Sequence, residues 1–282
     1  NGIRINTNRF KPDTDDDKDP NPLEWDISDK DLAMVAKLSY RNLKIGRDWN
    51  NPKYYKDSIN TEDFNGLADV SKLKGWEVVN GVYTNNAGMQ LVRFRVDNNT
   101  VIGFRGSELK GAALDEIIND WKKADLDGII LGKENEQVNY AKKYISSTFK
   151  NRNIKGEKIY LTGHSLGGYL SQQAASQLVL MNKDMKLKKV VTFSSPGLLE
   201  KKVKRNRKGQ VTKTKKRDQD DLDRLKKISN KIKNYRVQGD PVGSKPLHTG
   251  NVETYDSSDG MPKIFPATHD MKNYFKVLKG NK

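Results

Sequence analysis

Residues 161–168 read Leu-Thr-Gly-His-Ser-Leu-Gly-Gly, and no other stretch limits the fold so tightly. The spacing G-x-S-x-G, carried by Gly163, His164, Ser165, Leu166 and Gly167, marks a sharp strand-to-helix turn that lifts a serine hydroxyl above a sheet. The turn needs small residues because the helix packs close behind it. A Cβ at Gly163 or Gly167 would collide with neighbouring backbone. The flanks agree: residues 158–162 form a short apolar-rich run typical of a strand. After the turn, Leu170, Ala174, Ala175, Leu178 and Val179 recur on one face of a helix. A blander alternative makes Ser165 an ordinary helix N-cap, which leaves both flanking glycines unexplained.

At 282 residues the chain is long enough to bury a substantial core, and it fits one large α/β domain over residues 28–282. Cysteine is absent, which excludes disulfides and thiolate nucleophiles. No run reaches the eighteen or so apolar residues of a transmembrane segment. The first residue is Asn1 rather than Met, so a processed protein or an excised domain is expected. Residues 1–27 are expected to form a flexible arm, acidic between Asp13 and Asp19 and interrupted by Pro12, Pro20 and Pro22. The alternating aspartates lack the central Gly and distal Glu of a calcium loop.

Apolar periodicity predicts a helix over residues 29–43 behind a Ser28 cap, then an irregular aromatic region and a short helical element over 69–75. Strands are predicted over 76–83 and 89–96, with 91–96 and 100–105 forming a hairpin about Asp97-Asn98-Asn99. A helix follows over 137–149, and a strand over 187–193 runs into Ser194-Ser195-Pro196-Gly197. This repeated β-then-α order implies an α/β fold with a mainly parallel sheet covered on both faces. The strand ending in Gly103-Phe104-Arg105-Gly106-Ser107 leads into a loop whose N–H groups can face a cleft. Ser107 and Leu166, the residue after the nucleophile, are therefore candidates for the two halves of an oxyanion hole; a plain turn is the alternative for Ser107.

These landmarks together resemble the class 3 lipase family, the group related to secreted fungal triacylglycerol lipases within the α/β-hydrolase superfamily. Residues 103–107 resemble its oxyanion segment, and Asn119-Asp120-Trp121 with Asp125 resemble its Asp-x-x-x-Asp pattern. Residues 162–168 resemble its nucleophile motif, residues 192–197 its next strand and loop, and Val237-Gln238-Gly239-Asp240-Pro241-Val242 the segment bearing its triad aspartate. The resemblance spans roughly residues 90–270 and is weak before that. It implies an α/β-hydrolase fold and a Ser-Asp-His triad of Ser165, Asp240 and a histidine, with a turn-capping role as the alternative for Asp240.

The chain has three histidines. His164 adjoins the nucleophile and should point away from its hydroxyl, and His248 lies in a stretch resembling a non-catalytic part of the family. His269 gives the order Ser, Asp, His expected of an α/β hydrolase and is preferred as the base. No His-Glu-x-x-His segment occurs, so a metal-free, cofactor-free hydrolysis is favoured. Ile129, Ile130 and Leu131, between Gly128 and Gly132, lie where a family lid or acyl-binding lip would occur, or else pack a short connector.

Residues 200–233 contain 15 Lys or Arg against 5 Asp or Glu, a net +10 of the whole chain's +16. This looks like a basic insertion at about 200–231. Its first part, with Lys201, Lys202, Lys204, Arg205, Arg207, Lys208, Lys213, Lys215, Lys216 and Arg217, has almost no apolar residues. Its second part carries Leu222, Leu225, Ile228 and Ile232, a spacing consistent with a basic helix preceding or merging into a strand expected over 232–238. The basic stretch is a candidate contact for an anionic phospholipid surface, or a solvated loop. Nucleic acid is the lesser explanation, because no aromatic platform or zinc-finger pattern accompanies the charge.

The expected activity is release of fatty acid from a lipid ester, as a phospholipase A of A1-like selectivity. Alternatives are a triacylglycerol lipase, a general acyl esterase, or a basic binding protein on an inactive hydrolase scaffold. A bacterial protein secreted or delivered to a target membrane fits this reading.

Overall fold

A computed structural model describes residues 27–40, 76–83, 88–106, 134–152, 156–198, 202–205, 208, 211–215, 219–244, 248–263 and 267–278. Residues 1–26 of the expected arm, the predicted element over 69–75, the loop of Ile129, Ile130 and Leu131, and Ser107, Asp120, Asp125, Lys201, Arg207, Lys216 and Arg217 lie outside these residues, whereas Ile27, placed in the arm by the sequence, is buried in the core.

The order is α1 (Asp29–Leu38), β1 (Glu77–Tyr83), β2 (Gln90–Val96), β3 (Asn99–Phe104), α2 (Glu134–Phe149), β4 (Lys158–His164), α3 (Leu166–Leu180) and β5 (Leu187–Phe193). Next come β6 (Lys202–Arg205), β7 (Val211–Lys215), α4 (Gln219–Lys227), β8 (Ile232–Val237), β9 (Asn251–Tyr255) and α5 (Lys272–Val277). Seven strands form one sheet in the order β1-β2-β3-β4-β5-β8-β9. The β1, β2 and β3 meander is antiparallel, and every pairing from β3 to β9 is parallel.

Strand alternation builds two cores from this sheet. Val101, Tyr160, Val191, Phe193 and Tyr235 pack on one face with Leu32 and Val35 of α1 and Tyr274 and Phe275 of α5. Ile102, Phe104, Ile159, Leu161 and Val190 pack on the other with Ile145 of α2, Leu170 and Leu178 of α3, and Leu225 of α4. Helices therefore cover both faces, and the protein has the α/β-hydrolase fold.

Helix α1 starts where the sequence predicts. Ser28 Oγ accepts from the Asp31 N–H at 3.1 Å while Asp31 accepts from the Ser28 N–H at 2.9 Å, a reciprocal cap. Asp29 also ties this helix to the sheet, accepting from the Tyr235 hydroxyl at 2.6 Å and pairing with Lys189 at 3.0 Å and Lys233 at 3.3 Å. Burial raises the Asp29 carboxyl, but that hydroxyl and the two ammonium groups outweigh it and hold the group below its usual range.

The basic stretch differs from its reading as a solvated loop in its first part, and its second part is a helix that precedes the next strand as expected. Its first part forms a two-stranded antiparallel ribbon, β6 with β7. The following helix ends at Lys227, a 3-10 turn covers Ser229–Lys231, and Ile232 opens β8. The apolar spacing continues across this break because Leu225, Ile228 and Ile232 all enter the same core while the backbone changes state.

Candidate active site

The carboxyl ends of β3, β4, β5 and β8 lie at one edge of the sheet, because these strands run parallel. That edge collects Gly106, Ser165, Ser194 and Asp240. Ser165 joins β4 to α3 with φ 56° and ψ −131°, a conformation that L-residues seldom adopt. Its N–H is held by the Phe193 carbonyl at 2.9 Å, and its carbonyl accepts from the Gly168 N–H at 2.9 Å. It stands at the helix start, yet its side chain makes no capping hydrogen bond. The N-cap alternative is thereby set aside.

The glycines are explained by close approach. A Cβ on Gly163 would strike the Gly167 carbonyl group, and one on Gly167 would strike the Phe104 carbonyl oxygen and lie 2.8 Å from the Arg105 carbonyl carbon. Gly168 faces Ser195, whose Cβ would be 2.5 Å away. These contacts press the first turn of α3 against the end of β3. The first-turn N–H groups of a helix, including that of Leu166, lack helical acceptors and can serve an anion. A Cβ on Gly106 would meet His164 O at 2.6 Å and Ser165 Cβ at 3.2 Å, so the residue before Ser107 lies directly against the serine.

Asp240 is fully buried. Its Oδ1 accepts from the Val242 N–H at 2.9 Å, and His269 Nδ1 stands 3.1 Å and 3.0 Å from its two oxygens. A carboxylate only accepts, so Nδ1 carries the proton and Nε2 is the basic nitrogen of neutral His269. His248 is engaged elsewhere: its Nε2 donates to the Gly243 carbonyl at 2.9 Å.

The His164 imidazole is held at both ring nitrogens. Its Nε2 donates to the His269 carbonyl at 2.8 Å, which leaves Nδ1 to accept from the Tyr40 hydroxyl at 3.0 Å. The two imidazoles lie 4.7 Å apart. Burial, then the neighbouring His269, push the His164 pKa well below its ordinary value, so His164 stays neutral and braces the His269 backbone. Sequence reasoning missed Tyr40, since nothing local ties it to a residue 124 positions away. It also missed Tyr274, which donates to the Tyr235 carbonyl at 3.2 Å and accepts from the Ser194 hydroxyl at 2.6 Å, behind Asp240.

Burial also lowers the pKa of His248. The unfolded chain therefore binds protons near pH 6.5 that the folded chain refuses. Stability should be full above about pH 6.5 and fall as the pH drops towards the lowered folded values. Urea midpoints measured from pH 7.5 to 5 should decline below that point, with a shallower slope in His164→Gln. An unchanged slope would remove His164 as a source of the dependence.

A family model for the Tle-like phospholipase domain matches residues 31–260. The chain belongs to this phospholipase-like family. Among solved structures it is similar to the native Rhizomucor miehei lipase–propeptide complex, at TM-score 0.50 and 19% identity, covering 89% of this chain and 81% of that one. A two-residue deletion mutant of that lipase complex matches at TM-score 0.51 and 17% identity, covering 89% and 78%. No curated protein matches the chain. Family and fold together make the protein a hydrolase of the lipase and esterase superfamily. Among the described residues no helix is long and apolar enough to cross a membrane.

Proposed function

We propose that the protein is a serine-dependent phospholipase A that releases a fatty acid from a phospholipid acyl ester. Ser165 Oγ gives its proton to His269 Nε2 and attacks the ester carbonyl. The N–H groups of Leu166 and Ser107, with the Ser107 hydroxyl as a further donor, receive the charge developing on the carbonyl oxygen. His269 then passes the proton to the departing alcohol, leaving an acyl-Ser165 ester. Water, deprotonated by the same nitrogen, hydrolyses that ester and returns the serine hydroxyl. Asp240 holds the tautomer and stabilises the imidazolium in both half-reactions.

One observation carries this reading: a serine at positive φ and a buried Asp240–His269 pair occupy the same carboxyl edge of the sheet. The family and the net +10 of residues 200–233 support a phospholipid over a neutral oil as substrate. Attack at the sn-1 ester, and export or delivery of a bacterial enzyme to a target membrane, complete the proposal. Purified phosphatidylglycerol, phosphatidylethanolamine, galactolipid and triacylglycerol offered in turn should give free fatty acid and a lysophospholipid from the first two. Release from triacylglycerol alone would overturn the phospholipase assignment.

A further inference from the structure

Strands β8 and β9 run parallel, so the chain must travel back along the length of the strands between them. Such a return is usually a helix, whose backbone groups bond one another. The connection over residues 238–250 holds no helix among its described residues, and its backbone relies on side chains instead. Asp240 lies on it. Its carboxylate is thus placed by whatever fixes an irregular crossover.

The Val242 N–H donates to Asp240 Oδ1 at 2.9 Å, folding the turn over its own carboxylate. At the far end, Asn234 of β8 donates to the Thr249 carbonyl at 2.7 Å and accepts from the Thr192 hydroxyl of β5 at 2.8 Å, which fastens the connection to the sheet. Between these two points, His248 Nε2 stands 2.9 Å from the Gly243 carbonyl. A carbonyl only accepts, so Nε2 carries the proton. Gly243 is buried, and its carbonyl needs a partner from the protein.

Gly243 is also where the turn meets the carboxylate. A Cβ added there would lie 3.3 Å from Asp240 Oδ2 and 3.3 Å from the Ser194 Cα. The Val242 N–H therefore holds Oδ1, while the Gly243 backbone lies against Oδ2, the oxygen 3.0 Å from His269 Nδ1. The other ring nitrogen of His248, Nδ1, is buried without a hydrogen-bond partner, an unfavourable arrangement. An apolar side chain of similar volume would avoid that cost, so what the imidazole contributes here is its single N–H.

We propose that His248 is a positioning residue for Asp240: its Nε2–H holds Gly243 against the carboxylate, which keeps water from Oδ2 and preserves the pairing of that oxygen with His269 Nδ1. A loosened turn would let water share the carboxylate and weaken its attraction for an imidazolium, so the cost falls on turnover rather than on substrate binding. This role rests on the reading of Ser165, Asp240 and His269 as a hydrolase triad, and it is tested separately from it.

The test sets His248→Met, which keeps the bulk but has no donor, beside His248→Gln, whose amide N–H can serve the same carbonyl. Ile145→Val, a mild core change in α2, controls for lost stability. On a soluble short-chain ester, His248→Met should lower kcat by about tenfold or more while KM stays within about twofold, because a small misplacement away from the reacting atoms is enough for such a loss. His248→Gln should recover kcat to within about threefold of wild type, and Ile145→Val should leave it unchanged whatever it does to the urea midpoint. Proton NMR gives a second readout. The His269 Nδ1 proton, bonded to a carboxylate, resonates far downfield and is identified by its absence in His269→Gln. It should move upfield or exchange away in His248→Met and persist in His248→Gln.

Wild-type kcat in His248→Met would overturn the proposal. Equal losses in the Met and Gln variants would do the same, since the ring's volume rather than its N–H would then matter, and so would a kcat loss with the resonance unmoved. If His248→Met proves misfolded by circular dichroism, Asn234→Ala, which frees the Thr249 end of the connection, should lower kcat by about threefold or more and move the same resonance. No effect on either would be equally fatal. Should the wild-type protein hydrolyse no ester, the hydrolase reading fails, and the response of the resonance to His248→Met still decides this role of His248.

Discussion

Changing Ser165 to Ala should lower kcat for ester hydrolysis by about 10⁶ while leaving the thermal midpoint unchanged or raised. The first half follows from the proposal, in which Ser165 Oγ is the hydroxyl that the Asp240–His269 pair activates. The second follows from the backbone: φ 56° and ψ −131° are imposed by the packing of α3 on β3, and alanine adopts them no worse than serine. The Ser165 side chain makes no capping bond whose loss would cost stability. A steady-state assay on a soluble ester, with a melting curve of the same sample, reads both. Retained activity would place the chemistry elsewhere.

Gly167→Ala should destabilise the fold by about 3 kcal/mol or more. In an ordinary helix the same change stabilises by up to about 1 kcal/mol, since glycine carries the greater entropy cost. The sign is therefore diagnostic. A Cβ at Gly167 would overlap the Phe104 carbonyl oxygen and crowd the Arg105 carbonyl carbon; both struck atoms are backbone and a Cβ is fixed to its own Cα, so nothing can rotate aside. Relief would need α3 to withdraw from β3, separating Leu166 from the loop at Gly106. Urea unfolding of Gly167→Ala should show the loss, and a gain would mean that the close approach does not exist.

Much of this arrangement is legible in the sequence because it is local. The turn at Ser165 depends on glycines two residues away on either side, and the β2–β3 hairpin on a three-residue polar break. Strand alternation in 158–164 and 187–193 already separates the two faces of the sheet. Contacts between distant segments are a different matter. Asp240 and His269 are 29 positions apart, and only a resemblance in motif order suggested their pairing. The Tyr40–His164 bond and the Ser194–Tyr274 bond had no such guide. The ribbon at 202–215 was hidden for another reason: lysine-rich strands with little apolar alternation look like solvated loop, and only the backbone pairing reveals the register.

The most direct measurement is covalent labelling by a long-chain alkyl phosphonate, followed by peptide mass spectrometry. A single adduct on Ser165 is expected, formed in step with loss of activity and slowed by orders of magnitude in Asp240→Asn, where His269 loses the carboxylate that orients it. An adduct on another residue, or inactivation with Ser165 unmodified, would contradict the account.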